Sequence, residues 1–192
     1  MESALRSIGR RALVIGPAGS GKTTFARALS TRTGLPVVHL DLHYWRPGWL
    51  KPSEDEWREQ QRDLLSGDAW IADGNFFETL DFRLDRAEDV VLMGTPWWVC
   101  AGRAFLRGLR RPVGWVPLEG CDDPATRRLR DEWGLVFAIC RGRGAEVEQA
   151  RALVSGRWHH AALHVLSSKE EAKELLRGLA SCRALETWPS GP

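Results

Sequence analysis

Eight consecutive residues, Gly16-Pro-Ala-Gly-Ser-Gly21-Lys22-Thr23, set the terms for the rest of the chain. They satisfy the spacing G-x-x-x-x-G-K-[ST] between a short apolar run, Arg11 to Ile15, and a helical pattern from Thr23 to Arg32 with Phe25, Ala28 and Leu29 inward. Glycines at 16, 19 and 21 allow the backbone to curl so that successive N–H groups converge on anionic oxygens. The helix that begins near Lys22 adds the positive end of its dipole. Gly16, Ala18, Gly19, Ser20, Gly21, Lys22, Thr23 and Thr24 are therefore the expected cradle of a nucleoside triphosphate. In it, Lys22 reaches the terminal phosphates, Thr23 offers a hydroxyl to Mg²⁺, and Thr24 bonds the α-phosphate. The expected nucleotide is ATP with Mg²⁺, because no [NT]-K-x-D guanine motif occurs and the only lysines are Lys22, Lys51, Lys169 and Lys173.

A strand that feeds such a turn predicts a parallel α/β sheet, and the downstream pattern agrees. Val37 to Leu40, Trp70 to Ala72, Val90 to Met93 and His164 to Leu166 read as further buried strands. A loop, DLHYWRPGWLKP, is expected from Asp41, and Ser53 with Glu56 forms a capping box for a helix ending near Gly67. Other helices are expected from Trp97 to Leu109, from Asp123-Pro124 with Leu129, Trp133, Val136, Phe137 and Cys140 on one face, from Ala145 to Ser155, and after Ser168. The last carries Leu175, Leu176 and Leu179. Pro112 to Cys121 reads as a loop or lid base. At 192 residues the chain suits one domain, with a substrate loop and helix at about 41–67 and a lid at about 110–145.

Bulk properties exclude several alternatives. A net charge of +2 gives no argument for a nucleic-acid or membrane partner. The four cysteines, Cys100, Cys121, Cys140 and Cys182, form no C-x-x-C pair, which argues against a zinc or redox site. No run approaches a membrane span, and the first residues lack an apolar leader core, so a cytoplasmic protein is expected.

Several stretches carry a family likeness: GPAGSGKTTFARALS, LPVVHLDLHYWRPGW with the Trp57 that follows, WIADGNFFETLDFRL, the Arg86-Ala87-Glu88-Asp89 turn and the Pro96-Trp-Trp segment. Over about residues 10 to 180 the chain resembles a bacterial family of small adenylate-kinase-like P-loop proteins, often labelled DNA topology modulation protein or AAA-type ATPase. The resemblance implies a nucleoside-monophosphate-kinase-type fold with a five-stranded parallel core, a substrate-binding helical region and an arginine-bearing lid. It also likens Asp73-Gly74 to the D-G pair at a strand end near the metal. The chain departs from the family pattern at Met93-Gly94-Thr95-Pro96-Trp97-Trp98, where relatives carry an acid and an arginine at the positions of Gly94 and Trp97.

Chemistry singles out further residues. Asp41 and Asp73 end strands beside the cradle, placing one carboxylate to take a proton from an acceptor hydroxyl and the other to hold Mg²⁺ through its waters. His43, Tyr44, Trp45 and Arg46 crowd one loop, where aromatic faces and a guanidinium suit a ring-bearing or phosphorylated acceptor, with Asn75 and Arg83 nearby. Trp45 and Trp49 equally suit sealing the loop, and His39 is expected in the core. Arg103, Arg107 and Arg111 share a helix face and could clamp a transferring phosphate. Adenine is expected near the Leu166 to Lys169 turn. His159, His160 and His164 lack acidic or Cys partners at ligand spacing and read as surface or capping residues. The first expectation is an ATP-Mg²⁺ phosphotransferase acting on a small molecule, nucleoside or nucleotide. An ATP-binding regulator, possibly DNA-associated, and a binder without turnover are the alternatives.

Overall fold

A computed structural model describes residues 8–46, 50–110, 134–142 and 144–179, with the side chains of 107–110 outside that description. Five strands form one parallel sheet in the order β2-β3-β1-β4-β5: β1 (Arg11–Ile15), β2 (Val37–His39), β3 (Trp70–Asp73), β4 (Asp89–Met93) and β5 (Ala162–Leu166). The helices between them are α1 (Lys22–Thr33), α2 (Leu40–Tyr44), α3 (Glu54–Leu64), α4 (Leu80–Arg86), α5 (Trp97–Arg110), α6 (134–142), α7 (Ala145–Gly156) and α8 (Lys169–Gly178). From β1 the chain passes to β2 and β3 on one side, then to β4 on the other. That reversal opens a crevice at the carboxyl end of β1, where ligands bind in open α/β sheets.

The pleat divides the core. Ala12 and Val14 of β1 face α1 and α8, packing with Phe25, Ala26, Leu29 and Leu175. Leu13 and Ile15 face the other layer, with Leu80, Leu84, Ala150 and Val154. Both faces of the strands are thus covered, which is why they read as unbroken apolar runs. A third cluster, Cys100, Ala101, Ala104 and Ile139, packs α5 and α6 beneath Ala18 of the glycine turn.

Local signals set most helix ends. The capping box at Ser53 is complete: its hydroxyl accepts from Glu56 N–H and the Glu56 carboxylate takes the Ser53 N–H. Ser168 likewise accepts from Glu171 N–H, and Gly34 closes α1 in the left-handed region.

Several expectations change. The segment after β2 is not a loop from Asp41, because Leu40 is buried and residues 40–44 wind into α2. The helix from Ser53 stops at Leu64, short of Gly67. In α1, Ala26 is buried and Ala28 only half-buried. A short 3₁₀ turn (Phe77–Thr79) and α4 occupy a stretch to which sequence reading assigned no helix. Phe137, expected inward, is 67% exposed, and Ile139 is the buried member of α6. The first part of the helix expected from Asp123, up to residue 133, and most of the lid at 110–145 lie outside the described residues, as do Trp49, Cys121 and Cys182.

Candidate functional site

The glycine turn joins β1 to α1 with Gly16, Gly19 and Gly21 at φ 143°, 81° and 101°, all in the region that excludes most L side chains. Two of them are also hemmed in. A methyl group on Gly16 would lie 2.6 Å from the Met93 carbonyl oxygen, and one on Gly19 would lie 2.5 Å from that of Cys100. Gly21, the N-cap of α1, has nothing within 4 Å, so the turn is tight against β4 and α5 but open on the helix side. Such a concavity at a helix N-terminus fits a polyphosphate. Thr23 and Thr24 are exposed, whereas Ser20 is buried with no partner for its hydroxyl among the described residues.

Lys22 lies over the turn, its ammonium donating to the carbonyls of Gly16 (2.7 Å) and Pro17 (3.1 Å). Burial pulls this ammonium below its ordinary range, opposed by the fields of Asp73, Asp41 and Glu146. Thr95, at the end of β4, donates its hydroxyl to the Ser20 carbonyl at 3.2 Å. Arg103 reaches the same carbonyl at 3.3 Å and that of Gly19 at 3.4 Å. Of the expected arginine row, Arg103 therefore sits at the cradle. The side chain of Arg107 and the whole of Arg111 lie outside the described residues.

The two expected carboxylates meet here. Asp73 ends β3, buried, with His39 Nδ1 at 3.0 Å from its Oδ2. His39 is thus half-buried at the site rather than in the core, because the last residue of β2 pairs with the last of β3. Asp41 lies in the first turn of α2, exposed at the crevice mouth but crowded on its inner side. Desolvation raises its carboxyl above the usual range, the Lys22 charge pulls it down, and Asp73 pushes it up.

The turn after β3 is fastened from below. Arg83, 0% exposed, donates to the backbone carbonyls of Gly74 (2.8 Å), Asn75 and Phe76 (2.8 Å), and burial lowers its pKa to about 9. Its expected place on the substrate side is not where the fold puts it, since α4 turns this face inward. Phe76 there has φ 39°, the one left-handed non-glycine residue described. Asn75 is consequently held with its Oδ1 accepting from Gly16 N–H at 2.9 Å and its Nδ2 donating to Glu146 Oε2 at 3.1 Å. Glu146, in the first turn of α7, was no candidate from sequence; a contact across 71 residues leaves no local signal.

Tyr44 meets Trp45 and Trp57 edge-on (5.1 Å each) and Phe76 at a tilt (4.6 Å), and Trp57 meets Phe76 at 4.9 Å. Trp45 is half-buried with the Lys51 ammonium 5.8 Å over its ring. His43 is exposed, its carbonyl accepting from Gln60. Arg46 is exposed and pairs with Glu56 at 3.3 Å. The Leu166 to Lys169 turn lies beside β4, with Gly94 N–H bonded to the Leu166 carbonyl. His164 pairs with Asp89 (2.6 Å), while His159 and His160 lie at the carbonyls of Gly156 and Leu84.

Against known proteins, the profile described as "ATPase family associated with various cellular activities (AAA)" matches residues 12–65, the glycine turn and first crossover. None of the curated proteins compared matches the chain. Among solved structures it is similar to a gluconokinase from Sinorhizobium meliloti 1021, with TM-score 0.54 and 17% identity over 90% of this chain and 93% of that one. It is also similar to a shikimate kinase from Acinetobacter baumannii in complex with shikimate, with TM-score 0.52 and 18% identity over 88% and 89%. These likenesses and the strand order agree on the architecture: the chain has the α/β P-loop NTPase fold.

Proposed function

We propose that this chain is a small-molecule kinase that transfers the γ-phosphoryl group of ATP to a hydroxyl acceptor. One observation carries the reading: the Lys22 ammonium, lying over a glycine cradle open at the start of α1, is in the field of both Asp41 and Asp73. A cradle alone binds a nucleotide; a carboxylate of raised proton affinity within the field of Lys22 is what transfer to a hydroxyl adds. The gluconokinase and shikimate kinase structures to which this one is similar share the architecture.

In this reading the inward N–H groups of residues 16–24 and the Lys22 ammonium bind and orient the phosphates. The Thr23 hydroxyl and the Asp73 carboxylate would hold Mg²⁺, which when bound neutralises charge on the phosphoryl oxygens. His39 fixes the Asp73 carboxylate from behind. Asp41 takes the acceptor's hydroxyl proton as the new O–P bond forms and the bond from the γ-phosphorus to the β,γ-bridging oxygen breaks; the proton then passes to water. ADP and the phosphorylated acceptor are the products. Arg103 steadies the turn by bonding the Gly19 and Ser20 carbonyls, and the same reading gives Arg107 and Arg111 the clamping of the transferring phosphate. Adenine is assigned to the Leu166–Lys169 turn.

The test is a screen of hydroxyl metabolites with labelled ATP, run beside calorimetry. Lys22→Ala should abolish ATP binding, and Asp41→Asn should spare binding but lower transfer by about 10²-fold or more. Transfer that survives Asp41→Asn, or no acceptor that outpaces water, refutes the kinase reading. No described feature favours the DNA-associated alternative.

A further inference from the structure

The sequence suggests aromatic faces and a guanidinium for a ring-bearing or phosphorylated acceptor, but among the described residues the guanidinium groups of Arg46, Arg58, Arg83 and Arg103 are engaged elsewhere. Arg46 pairs with Glu56, and Arg58 with Asp81 at 3.0 Å, with Glu54 at 3.5 Å, and with the Glu78 carbonyl. Arg83 lies beneath the turn after β3 and Arg103 points at the cradle's own carbonyls. Each of these cations is matched by protein acceptors.

The carboxylates, by contrast, converge. Asp41, Asp73 and Glu146 come from three separate elements and all act on the Lys22 ammonium. Glu146 is held in place by the Asn75 amide, which at the same time grips the first residue of the glycine turn. Next to this acidic rim stands an aromatic wall of Tyr44, Trp57 and Phe76. Trp57, 3% exposed, backs this wall rather than lining it, and its buried indole N–H finds no partner among the described residues.

We infer that the acceptor is a polyhydroxylated ring compound without negative charge, a sugar, cyclitol, amino sugar or nucleoside, and that Glu146 is a specificity-determining residue that accepts its hydroxyl or ammonium protons. The inference rests on the kinase reading above and narrows it. A carboxylate offers several lone-pair sites to hydroxyl groups. Aromatic faces cover the apolar face of a ring, and they attract an ammonium group if one is present. An acid or phosphate ester would bring a further negative charge into a site that already holds three carboxylates and the nucleotide, and like-charge placement is how sites reject wrong partners.

Matched probes decide the matter: D-glucose, D-glucosamine and D-gluconate as one set, adenosine and AMP as another, with ADP release read for wild type, Glu146→Gln and Glu146→Arg. In wild type the neutral or amine-bearing member should exceed its acidic counterpart in kcat/KM by about tenfold or more. Glu146→Arg should shift that ratio toward the acid by at least tenfold. Glu146→Gln, an exposed isostere that leaves the fold intact, should lower the amine-to-neutral ratio within the sugar set. Preference for gluconate or AMP, or a ratio that Glu146→Arg does not move, overturns this inference and leaves the kinase reading standing. No ADP release above the acceptor-free rate with any probe also overturns this inference, whereas the kinase reading falls only if the wider metabolite screen finds no acceptor.

Discussion

Adding one methyl group to Gly19 tests whether the cradle is built as described. At φ 81° an L side chain costs about 1–2 kcal/mol in backbone strain. The new carbon would also lie 2.5 Å from the Cys100 carbonyl oxygen and 3.2 Å from the Cα and carbonyl carbon of the same residue. These are main-chain atoms inside α5, packed beneath the turn by Ala101, Ala104 and Ile139, so no side chain can swing away. Overpacking of this kind costs about 1–3 kcal/mol more. Gly19→Ala should therefore lose about 2–5 kcal/mol, against a total of about 5–15 kcal/mol for a domain. Gly21→Ala is the internal control, since φ is 101° but nothing lies within 4 Å, leaving strain alone at about 1–2 kcal/mol. With about 2–4 °C lost per kcal/mol at this chain length, Gly19→Ala should melt several degrees below Gly21→Ala in a calorimetric scan. Equal melting temperatures, or a higher one for Gly19→Ala, would refute the claimed contact between the turn and α5.

Three other outcomes follow from the same geometry. Asp41→Asn should raise the melting temperature near pH 7: a carboxyl whose folded pKa is raised costs stability while ionised, and the gain should fade as pH falls through that raised pKa and be gone below the ordinary aspartate range, as a pH series of melts would show. Ser53→Ala should cost about 1 kcal/mol through the lost cap. The hydrogen bonds from Ser53 hold the Glu56 carboxyl below its usual range, so this stability is present at neutral pH and lost on acidification through the lowered pKa, and the difference between variant and wild type should shrink in acid urea titrations. Gly94→Ala should be tolerated or stabilise by up to about 1 kcal/mol, because its φ is not positive and its methyl would meet the Ser167 hydroxyl at an ordinary 3.4 Å.

The sheet is legible in the sequence because strands buried on both faces leave apolar runs, and β1 follows its predicted bounds. The cradle is legible because its spacing encodes backbone geometry directly. What escapes reading is whatever tertiary contact decides. Residues 40–44 wind into a helix where Tyr44 can reach Trp57 and Phe76, a pairing invisible locally. In α4, Leu80 and Leu84 have helical spacing, but Arg83 beside them is a charge on the buried face and masks the pattern. His39 belongs to the site through strand pairing, and Glu146 through one amide, neither of which leaves a trace in sequence spacing.

The ion beneath the β3 turn has a consequence for how this pocket can change. Three main-chain oxygens must keep pointing downward to solvate the Arg83 guanidinium, and any reshaping of residues 74–76 would strand a charge in the protein interior. That floor is therefore a poor place for evolution or engineering to experiment. New acceptor preferences would arise more cheaply at the walls, in the exposed first turn of α7 and the end of α2, while the Asp73 edge stays fixed.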